Sequence, residues 1–285
     1  MKVSFYGVRG SIPTPGTHTT VYGGNTSCLL IEVPGAAPLV LDCGTGVRAL
    51  GRELLGRHTP AVEVLFTHFH LDHVFGFPFF GPLYSPSCSV GVGVPALSQI
   101  EAENRLGGYM NGTYHPVRLR DLRDRVRIDP IRPGRPFERG PFTIEPLRLN
   151  HPGSSCGYRI EAGGKVMAFL TDTAPLARPD EGLVVDRRPT GAEAKIVAAI
   201  TQADLVVMDT MFGFEEYLEK MTWGHAYPEY AVALCKAAGV KRLALFHHSP
   251  DASDSMLDEL AARWAHCEGL EVFLAREGGS VELEG

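Results

Sequence analysis

The chain lacks the usual marks of a secreted, membrane-bound or nucleic-acid-coating protein. Its six cysteines, at positions 28, 43, 88, 156, 235 and 267, are scattered and none forms a Cys-x-x-Cys pair, which excludes a disulfide scaffold. Several lie in apolar runs such as "TSCLLIE" and "VALCKAAG", the usual setting of a reduced, buried thiol. No stretch reaches the roughly 18 apolar residues of a transmembrane helix. The opening "MKVSFYGVRGS" has no apolar signal-peptide core and reads as a first strand. Positive charge is in short supply: 27 Lys and Arg against 33 Asp and Glu give a net charge of −6, so no global basic field attracts nucleic acid nonspecifically. There is no internal repeat, low-complexity tract or clear linker. The Gly-rich openings "GVRGSIPTPG" and "YGGNTS" lack the spacing of a P-loop. The expectation is a cytoplasmic protein without membrane association, folded as a single domain over residues 1–285.

What is present is a strand-rich first half. "KVSFYGV", "SCLLIEV", "PLVLDCG" and "VEVLFTH" are short apolar or alternating runs between Gly and Pro turns. "VRALGRELLG" and "VPALSQIEAENRL" read as helices, and "VRIDPI", "FTIEPLRL", "CGYRIEA" and "KVMAFLTD" return to strands. The second half alternates. "GAEAKIVAAITQ", "YPEYAVALCKAAG" and "DSMLDELAARWAHCEG" read as helices between the strands "ADLVVMDT", "VKRLALFHH" and "EVFLARE". Strands first, then strand and helix in alternation, predict an α/β sandwich of two sheets with helices outside.

The densest feature is "VLFTHFHLDHVFGF", residues 64–77, which places His68, His70, Asp72 and His73 within six positions. The apolar run before it predicts a buried strand, and in a strand side chains two apart share a face, so His68 and His70 are expected to point the same way. Residues 71–74 should then turn into a loop or a helix start and bring Asp72 and His73 in from the other side. An uncompensated buried cluster of this kind is costly, whereas converging N and O donors suit a divalent transition metal such as zinc. Further donors end other apolar strands: His151 in "LRLNHPGSSCGYRI", Asp172 in "VMAFLTDTA", and His247 and His248 in "RLALFHHSP". Each is weak alone, since a strand-end aspartate is often a turn former. Together they point to one edge of a sandwich that gathers ligands.

"THFHLDH" resembles the HxHxDH signature of the metallo-β-lactamase superfamily, and His151, Asp172 and His247 follow in that superfamily's order. "GGNTSCLLIE" and "LVLDCGTG" resemble its opening strands, and "WGHAYPEYAVALCKAAGVKRLALFHHSP" resembles the tail of its phosphodiesterase branch, which includes tRNA 3′ processing enzymes, PhnP-type phosphodiesterases and cyclic-nucleotide phosphodiesterases. The resemblance implies an αββα sandwich of two mixed β-sheets with helices on the outer faces. It also implies two divalent metal ions, zinc foremost and manganese or iron as alternatives. One would be held by His68, His70 and His151, the other by Asp72, His73 and His247, with Asp172 bridging. The family's His-x-Ser spacing selects His247 over His248. Relatives are often dimers, so a homodimer is open.

Two such metals bring the pKa of bound water from 15.7 toward about 7 and clamp a developing oxyanion. That suits hydroxide attack on a phosphodiester, and equally on a thioester or lactone. Asp72 and His225 are the candidate catalytic residues. In the phosphodiesterase branch the Gly-His of "TWGHAYPEY" supplies a general acid at the leaving oxygen. Here Ala226 and Tyr227 replace the family's Ser and Thr, a departure from the family pattern that leaves the imidazole in place. The tRNA-processing relatives carry a long arm between the third histidine motif and the bridging aspartate; His151 and Asp172 are separated by two strands and a turn, which leaves no room for it. The expected substrate is therefore a small phosphodiester, with cyclic nucleotides the first candidates, ahead of folded RNA. The alternatives are a tRNA 3′ endonuclease, a thioesterase- or lactonase-type hydrolase, and a non-catalytic module with a relic site. Residues 115–140 hold eight arginines against four acids, read as a solvated stretch with ion pairs such as Arg120–Asp124 or Arg123–Asp121. Tyr114 in a loop over the metal edge, with Asn25, Thr26, Ser27 and His248, completes the candidate substrate contacts.

Overall fold

Buried and half-exposed side chains alternate along Lys2–Gly7 (β1), the period of a strand with one face on a core. The chain continues through Cys28–Glu32 (β2), Leu39–Leu41 (β3), Val47–Gly56 (α1), Ala61–Leu65 (β4), Leu71–Val74 (α2), Ser89–Pro95 (β5), Gln99–Tyr109 (α3), Val126–Ile131 (β6), Phe137–Arg139 (β7), Phe142–Arg148 (β8), Cys156–Ala162 (β9) and Lys165–Leu170 (β10). Gly191–Ile200 (α4), Leu205–Asp209 (β11), Phe214–Glu219 (α5), Pro228–Ala237 (α6), Arg242–Phe246 (β12), Asp254–Trp264 (α7), Glu271–Leu274 (β13) and Ser280–Glu282 (β14) follow. The structure is a computed structural model that describes residues 1–153, 155–176 and 188–284.

The strands form two seven-stranded sheets, in the orders β14-β1-β2-β3-β4-β5-β6 and β13-β12-β11-β10-β9-β8-β7. Both are mixed: β3 to β6 run parallel, as do β10 to β13, and the remaining pairs are antiparallel. Apolar side chains fill three layers. Phe5, Leu29, Leu41 and Leu65 meet Tyr158, Ile160, Phe169, Val207 and Phe246 between the sheets. Outside the first sheet, Leu30, Val64 and Val92 pack with Leu50 and Leu54 of α1 and Ala102 and Leu106 of α3. Outside the second, Leu170, Val206 and Leu245 pack with Ile196 of α4, Leu234 of α6 and Leu257 of α7. This is the αββα sandwich.

Parallel strands deliver their C-terminal ends to one edge. The ends of β3 and β4 in one sheet and of β10, β11 and β12 in the other collect at that rim. β8 joins them, because it and β10 both run antiparallel to β9.

Four differences from the sequence reading stand out. Strand β5, "SVGVGVP", was not expected, because Gly91 and Gly93 interrupt the apolar pattern of a strand that lies buried at nearly every position. Short β7, β14 and α5 also carry too few apolar residues to signal themselves. Strand β4 ends at Leu65, so His68 and His70 share no strand face. Among the described residues no helix is long and apolar enough to cross a membrane. In the Arg-rich stretch the expected partners change. Arg120 faces Asp121 at 3.9 Å. Arg127 and Arg139 both pair with Glu63 and Asp129, tying the edge strand β6 to β4 and β7.

Candidate metal centre

The 66–70 loop leaves β4 with an extended residue, His70, set directly before the single turn of α2. This loop, rather than a pleat, brings the two histidines together: His70 presents Nδ1, which lies 3.0 Å from His151 Nε2, and His68 presents Nε2, 3.4 Å from Asp172 Oδ2. His151 Nε2 stands 3.6 Å from the same oxygen. The other oxygen of Asp172 lies 3.1 Å from both His73 Nε2 and His247 Nε2. Asp72 Oδ2 is 3.3 Å from His73 Nε2 and 3.1 Å from His247 Nε2. Two donor groups result from these distances, His68–His70–His151–Asp172 and Asp72–His73–Asp172–His247, and a third combination, Asp172–Asp209–His225–His247, is equally close, the candidate ligand atoms in each within 4.8 Å of one another. His70 is exposed and His151 half-buried, which marks the open side; the other residues are buried.

Three of the five imidazoles are aimed from behind. His73 Nδ1 lies 2.7 Å from Asp42 Oδ2, His68 Nδ1 lies 3.0 Å from Thr67 Oγ1, and His151 Nδ1 donates to the Gly224 carbonyl at 2.8 Å. Asp42 is itself held by the Thr67 N–H at 2.8 Å, and Asp72 Oδ2 accepts the Ser11 N–H at 2.7 Å. Such partners fix which nitrogen faces the centre. Asp42, Asp172 and His247 each adopt a left-handed backbone, with φ of 60°, 53° and 62°. That conformation costs a non-glycine residue on the order of 1–3 kcal/mol and gathers where structure serves a site.

The donor set fits divalent cations on two counts. First, His68 Nε2 and His73 Nε2 are buried without a hydrogen-bond partner, although carboxylate oxygens surround them. Nitrogens whose lone pairs are oriented by a partner on the opposite side of the ring are ready for a cation. Second, the charge balance draws positive charge inward. Burial works against charging His73, yet Asp172, Asp72 and Asp42 together hold its pKa well above the ordinary range, and they attract a dication in the same way. Burial likewise tends to raise Asp172, but His247, His73 and His68 keep its carboxyl ionised. Burial pushes His151 down to about 4, which keeps a ligand nitrogen free of protons.

His225 stands beside this centre. Its ring stacks on His247 at 5.0 Å and lies 5.2 Å from His151. Its Nδ1 is 2.8 Å from Asp209 Oδ2. Burial lowers the pKa of the ring, but Asp209 outweighs it and raises His225 to about 9. Asp209 is fixed by the N–H groups of Thr173 and Met211.

The remaining expected contacts lie elsewhere. Thr26 and Ser27 are fully buried: Thr26 exchanges hydrogen bonds with Thr45, and Ser27 donates to Asp42 at 3.2 Å. Both act behind the centre, which corrects their reading as substrate contacts. Asn25 donates its amide to Glu277 at 2.6 Å, so its side chain is committed to the closing turn before β14. His248 is buried, gives Nε2–H to the Ala275 carbonyl at 2.8 Å and is pushed down to about 4 by burial; it braces β12 against β13. Tyr114 is 76% exposed and takes no part in the ring or hydrogen-bond contacts of the cluster among the described residues. Asp42, Asp209 and Thr67 were missed. The two aspartates carry the same signal that marked Asp172, an acid that ends an apolar strand.

A family model, the beta-lactamase superfamily domain, matches residues 38–248. The chain belongs to that superfamily, which places it among metal-dependent hydrolases. It is 30% identical to a ribonuclease Z from a Picosynechococcus species, over 92% of this chain and 90% of that one. Among solved structures it is similar to the metallo-beta-lactamase fold protein YhfI from Bacillus subtilis, with a TM-score of 0.71 and 21% identity over 98% of both chains. It is also similar to the short form of human tRNase Z, with a TM-score of 0.67 and 18% identity over 100% of both.

Proposed function

We propose that this chain is a two-metal phosphodiesterase acting on small phosphodiesters, cyclic nucleotides among them. One observation carries the reading: two ligand groups meet on Asp172, and next to them an imidazole, His225, is held by its own carboxylate. His68, His70 and His151 would hold one cation, and Asp72, His73 and His247 the other. Asp172, whose two oxygens face the two groups, would serve both. When bound, the pair supplies a nucleophile at neutral pH and charge stabilisation for phosphoryl oxygens.

The chain's own residues do the rest. Asp42, Thr67 and the Gly224 carbonyl hold the ligand rings in orientation. With Nδ1 of His225 committed to Asp209, Nε2 is the nitrogen left to protonate a departing alkoxide, a role worth about 10²–10⁴ in rate. Asp209 keeps that ring charged and turned. Asp72, fixed by the Ser11 N–H, keeps its second oxygen available for proton handling.

The short segment between His151 and Asp172 favours a small substrate. Strands β9 and β10 pair directly, Ala162 against Lys165, across a turn at Gly163 and Gly164. Among the described residues no arm projects there to grip a folded RNA. The rival reading, tRNA 3′ cleavage, is favoured by the likeness to proteins named ribonuclease Z. A thioesterase- or lactonase-type reading has no observation of its own.

The deciding experiment incubates metal-loaded protein with bis-p-nitrophenyl phosphate, cyclic AMP and a precursor tRNA. Turnover of the small diesters with intact tRNA is expected. Efficient tRNA cleavage without small-diester turnover would replace this reading with the rival.

A further inference from the structure

Trp223 is one of only two tryptophans, and it stands 57% exposed, although an indole is a large apolar surface to leave in water. It is nonetheless held in place. Met221–Trp223 form one tight 3-10 turn, and the Trp223 N–H donates to the Lys220 carbonyl at 2.9 Å. Phe212, buried, meets the indole edge-on at 6.3 Å. The Lys220 ammonium lies 5.0 Å from the centre of the indole and 5.1 Å from that of Phe212. Its charge is balanced by Glu216 Oε1, 2.7 Å away.

This group joins the candidate centre directly. The same Phe212 ring lies edge-on to His225 at 5.6 Å. Gly224, between Trp223 and His225, turns through a left-handed φ of 90°, and a side chain there would strike the His151 ring at 2.3 Å. An exposed indole is therefore fixed two residues from His225, with a balanced charge beside it. Lys220 and Phe212 both pack on the indole, and more than half of the residue still stands in solvent.

We infer that Phe212, Lys220 and Trp223 form a stacking shelf for a planar ring on the leaving-group side of the substrate, a nucleobase or an aryl group. The inference rests on the reading of His225 as the acid at the leaving oxygen. Chemistry selects the occupant. An indole face stacks any flat π-system, and the Glu216-balanced lysine gives no net pull on a second phosphate. Stacking of one base is worth about fivefold to 150-fold in binding. The shelf thus makes the substrate class a nucleoside or aryl phosphodiester.

The test uses the full, metal-loaded chain and three readouts. Adenosine 5′-monophosphate binding is measured by titration calorimetry for every variant and also by intrinsic tryptophan emission for the wild type and Trp223→Phe, and KM and kcat are measured on bis-p-nitrophenyl phosphate. The other tryptophan, Trp264, packs against the outer layer of the second sheet and is a constant background. Wild-type emission should be quenched. Trp223→Phe should bind the nucleotide within about twofold of wild type but lose the quench. Trp223→Ala should raise both Kd for the nucleotide and KM for the diester at least about fivefold, with kcat little changed. Absence of a quench in the wild type, or unchanged Kd and KM in Trp223→Ala, overturns the shelf. So does a Trp223→Ala variant that changes only the oligomeric state in sedimentation. If the wild type cleaves no phosphodiester, the functional reading fails by itself, and the nucleotide titration still decides the shelf.

Discussion

Asp172 is the residue on which the two ligand groups depend. It ends β10 in a left-handed conformation, is buried, and lies within 3.1 to 3.6 Å of four imidazole nitrogens. Asp172→Ala is expected to take both metals together, to well under one equivalent by elemental analysis, and to abolish turnover; retention of one full equivalent would mean the groups are independent. His225 separates chemistry from metal binding. His225→Ala should lower kcat by about 10²–10⁴ with metal content unchanged, and a parallel loss of metal would make His225 a ligand instead. The residue scale is also where the sequence was most legible. Strand ends and spacing point to His68, His70, Asp72, His73, His151 and Asp172, the family resemblance selects His247 over His248, and the fold brings all seven together. Asp42 and Asp209 obey the same rule and were overlooked. An acid behind a histidine looks, in sequence, like any turn-forming aspartate. Thr26 and Ser27 erred the other way: proximity to a Gly-rich turn cannot tell the front of a site from its back.

The strap after β1 shows how an element tunes the centre. Gly10 lies against His247, and an added Cβ would sit 2.5 Å from the imidazole; the next residue, Ser11, gives its N–H to Asp72. Gly10→Ala should displace His247 and lower metal content from two equivalents toward one, with far-ultraviolet circular dichroism unchanged. Two tightly held equivalents would show that the strap yields. The start of α7 anchors the neighbouring loop, where Asp254 accepts the N–H groups of Val21 and Tyr22 at 2.9 and 3.1 Å. Slight burial opposes ionisation of Asp254, but these N–H groups hold its carboxyl below the usual range. A depressed carboxylate stabilises the fold above the unfolded pKa of about 3.9 and loses that contribution as pH falls through the folded value. Asp254→Ala should therefore cost about 1 kcal/mol at pH 7, a gap in thermal denaturation that closes below about pH 4. A gap that persists in acid would assign the effect to packing. Elements with strong period were read from sequence within a residue or two, as with α1 and β10. Strand β5 was not, because its alternate positions are glycine and carry no hydrophobic signal.

For the whole molecule, the decisive fact is topological. Two parallel runs, one in each sheet, bring distant strand ends to a single rim, and sequence shows the ends without the sheet order that unites them. The direct measurement is anomalous diffraction from crystals of the metal-loaded protein. Two peaks are predicted within about 4 Å of each other, both against Asp172, one beside His68, His70 and His151 and the other beside Asp72, His73 and His247. A single peak, or peaks away from that rim, would contradict the account.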